Sequence, residues 1–176
     1  MEEIMNKVVV LGTNHNIQQG KVNKDSFHSY IKELCVSEDI KVIAEEINDN
    51  ATVVVAKNVC DELSIDHIII DPNPLDYDSL GVTPYHKIEY QVMTKYDLKI
   101  PPSFENPTPD EASLEFNKRI ANEHNHPREM EWWRRIESNN CWPVLVICGS
   151  AHFCSFCNLL SENGVEVIRN SKNWVA

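Results

Sequence analysis

Val8-Val9-Val10-Leu11-Gly12-Thr13-Asn14-His15 is a continuous apolar run that stops at a glycine, with a histidine three residues on. Val144-Leu145-Val146-Ile147-Cys148-Gly149-Ser150-Ala151-His152 repeats the pattern near the other end of the chain. A short run that is apolar at every position belongs to a strand covered on both faces, which is the habit of parallel sheets. Working outward from the first copy, a polar loop leads to Phe27, Tyr30, Ile31 and Leu34. Their spacings of three and four mark one face of a helix capped near Asp25 or Ser26. Ile40 to Ala44 is a second, β-branched strand. After the acidic loop Glu45-Glu46-Ile47-Asn48-Asp49-Asn50 comes a helix with Ala56, Val59, Cys60 and Leu63 on one side, then a third strand, His67 to Ile70, closed by Asp71-Pro72.

The second copy is followed by a helix with Phe153, Phe156, Cys157 and Leu160 on one stripe. That helix stops at Asn163-Gly164, and Val165 to Ile168 is a last strand. The implied class is α/β: a mostly parallel sheet with helices on both faces, built as βαβαβ, a helical insertion, then βαβ with right-handed crossovers. The insertion, about residues 72–127 of a single 1–176 domain, is rich in proline. Thr83-Pro84 reads as a cap and first-turn proline before Ile88, Val92, Met93 and Tyr96. Pro101 to Pro109 reads as a loop, and Glu111 to about Glu123 as a helix. A segment inserted at a strand end lies on the rim where ligands bind. It is either a lid or a surface elaboration that only packs.

At 176 residues, 42% of them apolar and 24% charged, the chain has the length and composition of one globular domain with a core. Lys and Arg number 16 against 27 Asp and Glu, a formal charge of −11, and no basic run reverses the sign locally. Binding to a nucleic-acid backbone or an anionic membrane is disfavoured. The first residues carry no basic leader, and the apolar run ending at Gly12 is too short for a signal core or a membrane span. A cytoplasmic protein with its six cysteines reduced is therefore expected, and its oligomeric state is left open.

In an open parallel α/β sheet, ligands bind outside the carboxyl ends of the strands. The four strands read before the last one run out, in turn, into Gly12-Thr13-Asn14-His15, Glu45-Glu46, Asp71 and Gly149-Ser150-Ala151-His152. Two imidazoles and up to three carboxylates on one edge suit a divalent metal such as Zn, Mn, Fe or Co. His15, His152 and Glu45 are the candidate ligands, although Glu45 and Glu46 are not separable from sequence. Adjacent side chains at a strand end point oppositely, so one can face the crevice while the other caps the next helix. Asp71, followed by proline, is read as a turn former. The two glycines let the backbone turn sharply and bring each histidine close to a ligand.

Arg128 to Ile136 reads as a helix after Pro127, with Glu129, Trp132, Trp133 and Ile136 on its inward side. Arg128 either holds an anionic substrate group or a developing negative charge, or forms a surface ion pair. Asn14, Ser150, Gly149 and Arg128 are the candidate substrate-binding residues, and Glu45, Glu46 and Arg128 the candidate catalytic ones. Cys154-x-x-Cys157 has the spacing of a zinc or redox motif, but Cys157 lies in the apolar stripe of its helix, where a buried thiol is the commoner outcome. His124 and His126, before Pro127, reach the rim or face solvent.

Taken together, Gly12-Thr13-Asn14-His15, Ala44-Glu45-Glu46, Arg128-Glu129 and Cys148-Gly149-Ser150-Ala151-His152 resemble the Tiki/TraB family, within the wider erythromycin esterase and ChaN-like superfamily. The matching pieces span nearly the whole chain. The resemblance implies a metal-dependent hydrolase whose ligands or catalytic groups are His15, a glutamate of the acidic pair and His152, with Arg128 assisting. Some members of that group bind haem instead of catalysing. This chain departs from the family in being compact, with one middle insertion and no membrane segment. The expected substrate is a small or peptide-like molecule cleaved at an ester, amide or phosphoester bond. The competing expectation is a module that binds a small molecule, nucleotide or haem in the same crevice without turnover.

Overall fold

The computed structural model describes residues 6–47, 54–102 and 110–176. Within them β1 (Lys7–Thr13), β2 (Val42–Glu45), β3 (Asp66–Ile69), β4 (Val144–Gly149) and β5 (Glu166–Ser171) form one all-parallel sheet in the order β3-β2-β4-β1-β5. This is the α/β architecture that the apolar runs predict, with each strand displaced from its sequence reading by one to three residues. The central strand is β4. Its Val144 pairs with Val8 of β1 on one side and Val42 of β2 on the other, and its Cys148 pairs with Gly12.

The continuous apolar runs divide between two cores because alternate side chains leave opposite faces of a strand. Val9, Leu11, Ile43, Leu145 and Ile147 pack with Phe27, Ile31 and Leu34 of α2 (Lys24–Ser37) and with Ala56, Val59 and Cys60 of α3 (Val55–Leu63). A four-residue helix, α1 (His15–Gln18), precedes α2. Val8, Val10, Val42, Ala44, Val144 and Val146 pack instead with Trp132, Trp133 and Ile136 of a helix running from His126 to Asn139, and with Phe156, Cys157 and Leu160 of the helix Phe153–Glu162. Every residue from Val8 to Leu11 is fully buried, so β1 is covered on both faces.

The chain divides into two compact units, Met1–Asp71 with Trp132–Ala176, and Pro72–Glu131. The second begins with a 3-10 turn (Pro74–Asp76), followed by α4 (Tyr77–Leu80), α5 (Tyr85–Lys95) and α6 (Glu111–Arg119). Ile88, Val92, Ala112, Phe116 and Ile120 form its core. Most of the loop expected over Pro101 to Pro109 lies outside the described residues. Where the sequence suggests two helices separated near Pro127, the helix is continuous. α6 passes through a π-helical segment, Ile120–Asn125, into α7 (His126–Asn139). Proline has no N–H for the carbonyl four residues back and crowds it. That carbonyl, of Glu123, takes the Thr83 N–H instead at 2.7 Å. The wider π turn is the local answer to the proline. The chain then continues into α8 (Phe153–Glu162) after β4. Among the described residues no helix is long and apolar enough to cross a membrane.

Candidate active site

The acidic pair at the end of β2 separates as strand geometry requires. Glu45, fully buried, accepts a hydrogen bond from His67 Nε2 at 2.8 Å through one oxygen and from Gln18 Nε2 at 3.2 Å through the other. Gln18 Nε2 also donates to the Glu46 carbonyl at 3.0 Å. A buried carboxylate needs such partners, and these two hold Glu45 in the interior. Glu46 turns the other way. Its Oε2 accepts the Gly149 N–H at 2.7 Å, and its Oε1 lies 3.6 Å from Nε2 of His152. Both groups are nearly inaccessible, Glu46 at 3% and His152 at 6%.

This pair stands at the carboxyl ends of adjacent strands β2 and β4. The chain after β2 goes to the α3 face and the chain after β4 to the α8 face. Neighbouring strands whose connections leave to opposite faces open a crevice between them, and the pair sits there. Gly149 permits the approach: a Cβ on it would lie 3.3 Å from Glu46 Oε2 and 3.9 Å from His152 Cδ2. At Gly12 the cause differs from the expected close approach to a ligand. A Cβ there would come within 2.0 Å of the Lys172 carbonyl oxygen, because the chain after β5 crosses this point. Trp174 N–H donates to the Gly12 carbonyl at 2.7 Å, and the Trp174 indole lies against Phe27 and Tyr30 with centroids 5.0 and 5.4 Å away.

Behind the pair is an aromatic wall. The Trp132 ring is tilted against the His152 imidazole at 4.7 Å and meets Phe156 edge-on at 5.4 Å. Its buried indole N–H donates to Asp71 Oδ1 at 3.0 Å, and Arg135 Nη1 donates to the Asp71 carbonyl at 3.2 Å. Asp71 thus does more than shape a turn. Sequence reasoning missed Trp132, His67 and Gln18 as parts of this neighbourhood. Trp132 had a signal in its inward position on the helix. Gln18 and His67 had none, because their partner is one of two indistinguishable glutamates.

His15 is exposed at the first position of α1, where Asn14, also exposed, caps the helix by accepting the Ile17 N–H at 3.1 Å. Ser150 N–H donates to the Thr13 carbonyl at 2.9 Å, which ties the two glycine loops together. Arg128 belongs to the second unit and is 7% exposed. Its Nη1 lies 3.4 Å from His124 Nε2, and His124 Nδ1 lies 3.0 Å from the Thr83 carbonyl. A carbonyl only accepts, so Nδ1 carries the proton and Nε2 receives the guanidinium N–H. Tyr77 and Tyr85 set their rings edge-on to the same imidazole at 6.0 and 6.2 Å.

Glu46 and His152 are donors of the kind that could hold a divalent ion. Among the described residues no group of three or more His, Cys, Asp or Glu side chains converges. Catalytic zinc sites usually have three protein ligands, and two of the right kind are described at this place. Cys154 is exposed while Cys157 is buried, and burial pushes the Cys157 thiol up to about 11. A redox dithiol needs the reverse shift. The chain matches no protein-family model, no curated protein and no solved structure.

Proposed function

We propose that the protein is a hydrolase in which Glu46 and His152 form the acid–base pair. The observation that carries this reading is a buried carboxylate–imidazole pair, 3.6 Å apart, at the strand ends where an α/β sheet opens its crevice. The separation is longer than a hydrogen bond, as is common for catalytic groups before substrate arrives. His152 takes a proton from water as the water oxygen attacks the carbonyl or phosphorus of the substrate. The same proton is then delivered to the departing oxygen or nitrogen. The imidazolium formed between these steps is stabilised by the Glu46 carboxylate, itself fixed by the Gly149 N–H. An ester, amide or phosphoester in a small or peptide-like substrate fits this chemistry. The acidic surface steers away polyanions.

A divalent ion of the kind expected from the sequence would take Glu46 and His152 as ligands and supply an acidified water. The proton transfers of the proposed mechanism use the side chains of Glu46 and His152. The Tiki/TraB resemblance is consistent with hydrolysis. The test is a panel of p-nitrophenyl acetate, a p-nitroanilide and bis(p-nitrophenyl) phosphate, run with the wild-type protein and His152→Asn. At least one probe should be turned over, with a rate that falls about 100-fold or more in the variant, the scale of general acid–base catalysis. Binding of a probe without turnover by either protein would favour the non-catalytic module. Chelation with EDTA should leave the rate within about twofold; loss restored by added Zn or Mn would return the ion to the centre of the reaction.

A further inference from the structure

We propose that Asp71 is a positioning residue for His152, acting through the indole of Trp132. The proposal rests on the acid–base reading of His152 and extends it to how the ring is held. An imidazole that gains and loses a proton must keep its plane through the change in charge. Glu46, at 3.6 Å, does not clamp it as a short hydrogen bond would. A neighbouring group with a defined orientation is Trp132, whose ring lies 4.7 Å from the imidazole at an interplanar angle of 56°.

Turning an asymmetric indole in its slot changes both its outline and the direction in which its N–H points. A fixed partner for that single N–H therefore selects one setting of the ring. Trp132 is fully buried, and its N–H is committed to Asp71 Oδ1 at 3.0 Å. Asp71 is anchored in turn. Arg135 Nη1 reaches its carbonyl at 3.2 Å and the Ile69 carbonyl at 3.4 Å, fixing the chain where it leaves β3. Phe156 also meets the indole edge-on, at an interplanar angle of 74°. The chain Arg135, Asp71, Trp132, His152, Glu46, Gly149 therefore runs unbroken from the exit of β3 to the exit of β4, and every link lies within one unit.

The test compares Asp71→Ala, which removes the acceptor, with Asp71→Asn, which keeps a carbonyl oxygen at the same place. Two quantities are read: the ring-proton chemical shifts of His152 in protein labelled with 13C-histidine, which respond to the ring current of Trp132, and kcat and KM for p-nitrophenyl acetate. In Asp71→Ala the His152 signals should move. The value of kcat should fall about tenfold or more, the scale of a small misplacement of a catalytic group, with KM within about twofold. Asp71→Asn should stay near wild type in both. Trp132→Phe, which keeps a ring and loses the N–H, should follow Asp71→Ala. Unmoved His152 signals in Asp71→Ala, or an Asp71→Asn protein as impaired as Asp71→Ala, would overturn the proposal. The chemical shifts decide it even for a protein that hydrolyses none of the probes, so its failure is distinct from failure of the hydrolase reading.

Discussion

At adjacent positions Glu45 and Glu46 have different partners, so their substitutions should fail in different ways. Glu45→Ala takes the acceptor from His67 Nε2 and from one N–H of Gln18, whose amide still reaches the Glu46 carbonyl. It should cost about 1–3 kcal/mol in urea unfolding while the folded protein keeps its hydrolytic rate. Glu46→Gln should unfold near the wild-type midpoint and lose the rate. The thiols give a second prediction at this scale. Burial raises Cys157 to about 11 and Cys35 and Cys60 to about 12. A thiol with a raised pKa is protonated at pH 7.5, and only the thiolate alkylates. Iodoacetamide followed by peptide mass mapping should therefore find the exposed Cys154 modified first, with Cys35, Cys60 and Cys157 untouched in the native protein. Early labelling of Cys157 would contradict its placement in the core.

Among the elements, the two glycine loops look alike in sequence and differ in cause. Gly12→Ala sets a Cβ against the Lys172 backbone and should destabilise the fold by about 1–3 kcal/mol, as overpacking does, measured by chemical unfolding. Gly149→Ala presses on the Glu46 carboxylate instead and should lower activity more than stability. The strands were legible because their apolar runs are continuous, and the helices because their stripes recur at three and four. What the repeat of Gly-x-x-His could not reveal is that the chain beyond β5 returns over the first copy. That contact joins Gly12 to Trp174 and leaves no local trace. The passage through Pro127 was illegible for a similar reason. The Thr83 N–H that replaces the missing proline donor comes from forty residues upstream, and this amide should show slow hydrogen exchange.

Across the whole molecule, the sheet order puts β4 between β1 and β2, so its backbone is paired on both sides and its side chains are covered on both faces. The slowest-exchanging amides should be those of Val144 to Cys148 and Val8 to Leu11. Those of β3, at the sheet edge, should exchange sooner. The same order explains how far the candidate site could be read in advance. The rule that ligands lie at the carboxyl ends of parallel strands pointed to the edge on which His152 and the acidic pair lie. Which members meet depends on β2 lying directly beside β4, and strand order is not written in any local pattern. His15 comes after β1, on the other side of β4, and is exposed.

The central claim is that Glu46 and His152 act as one unit in proton transfer, and a double-mutant cycle addresses it most directly. Hydrolysis of whichever probe the wild-type protein turns over best would be measured for Glu46→Gln, His152→Asn and the double variant, each checked for an intact fold by thermal unfolding. Groups that share one task are not additive. The account predicts that the double variant is no slower than His152→Asn alone, with both about 100-fold or more below wild type. Losses that multiply, or a Glu46→Gln protein with the full wild-type rate, would contradict it.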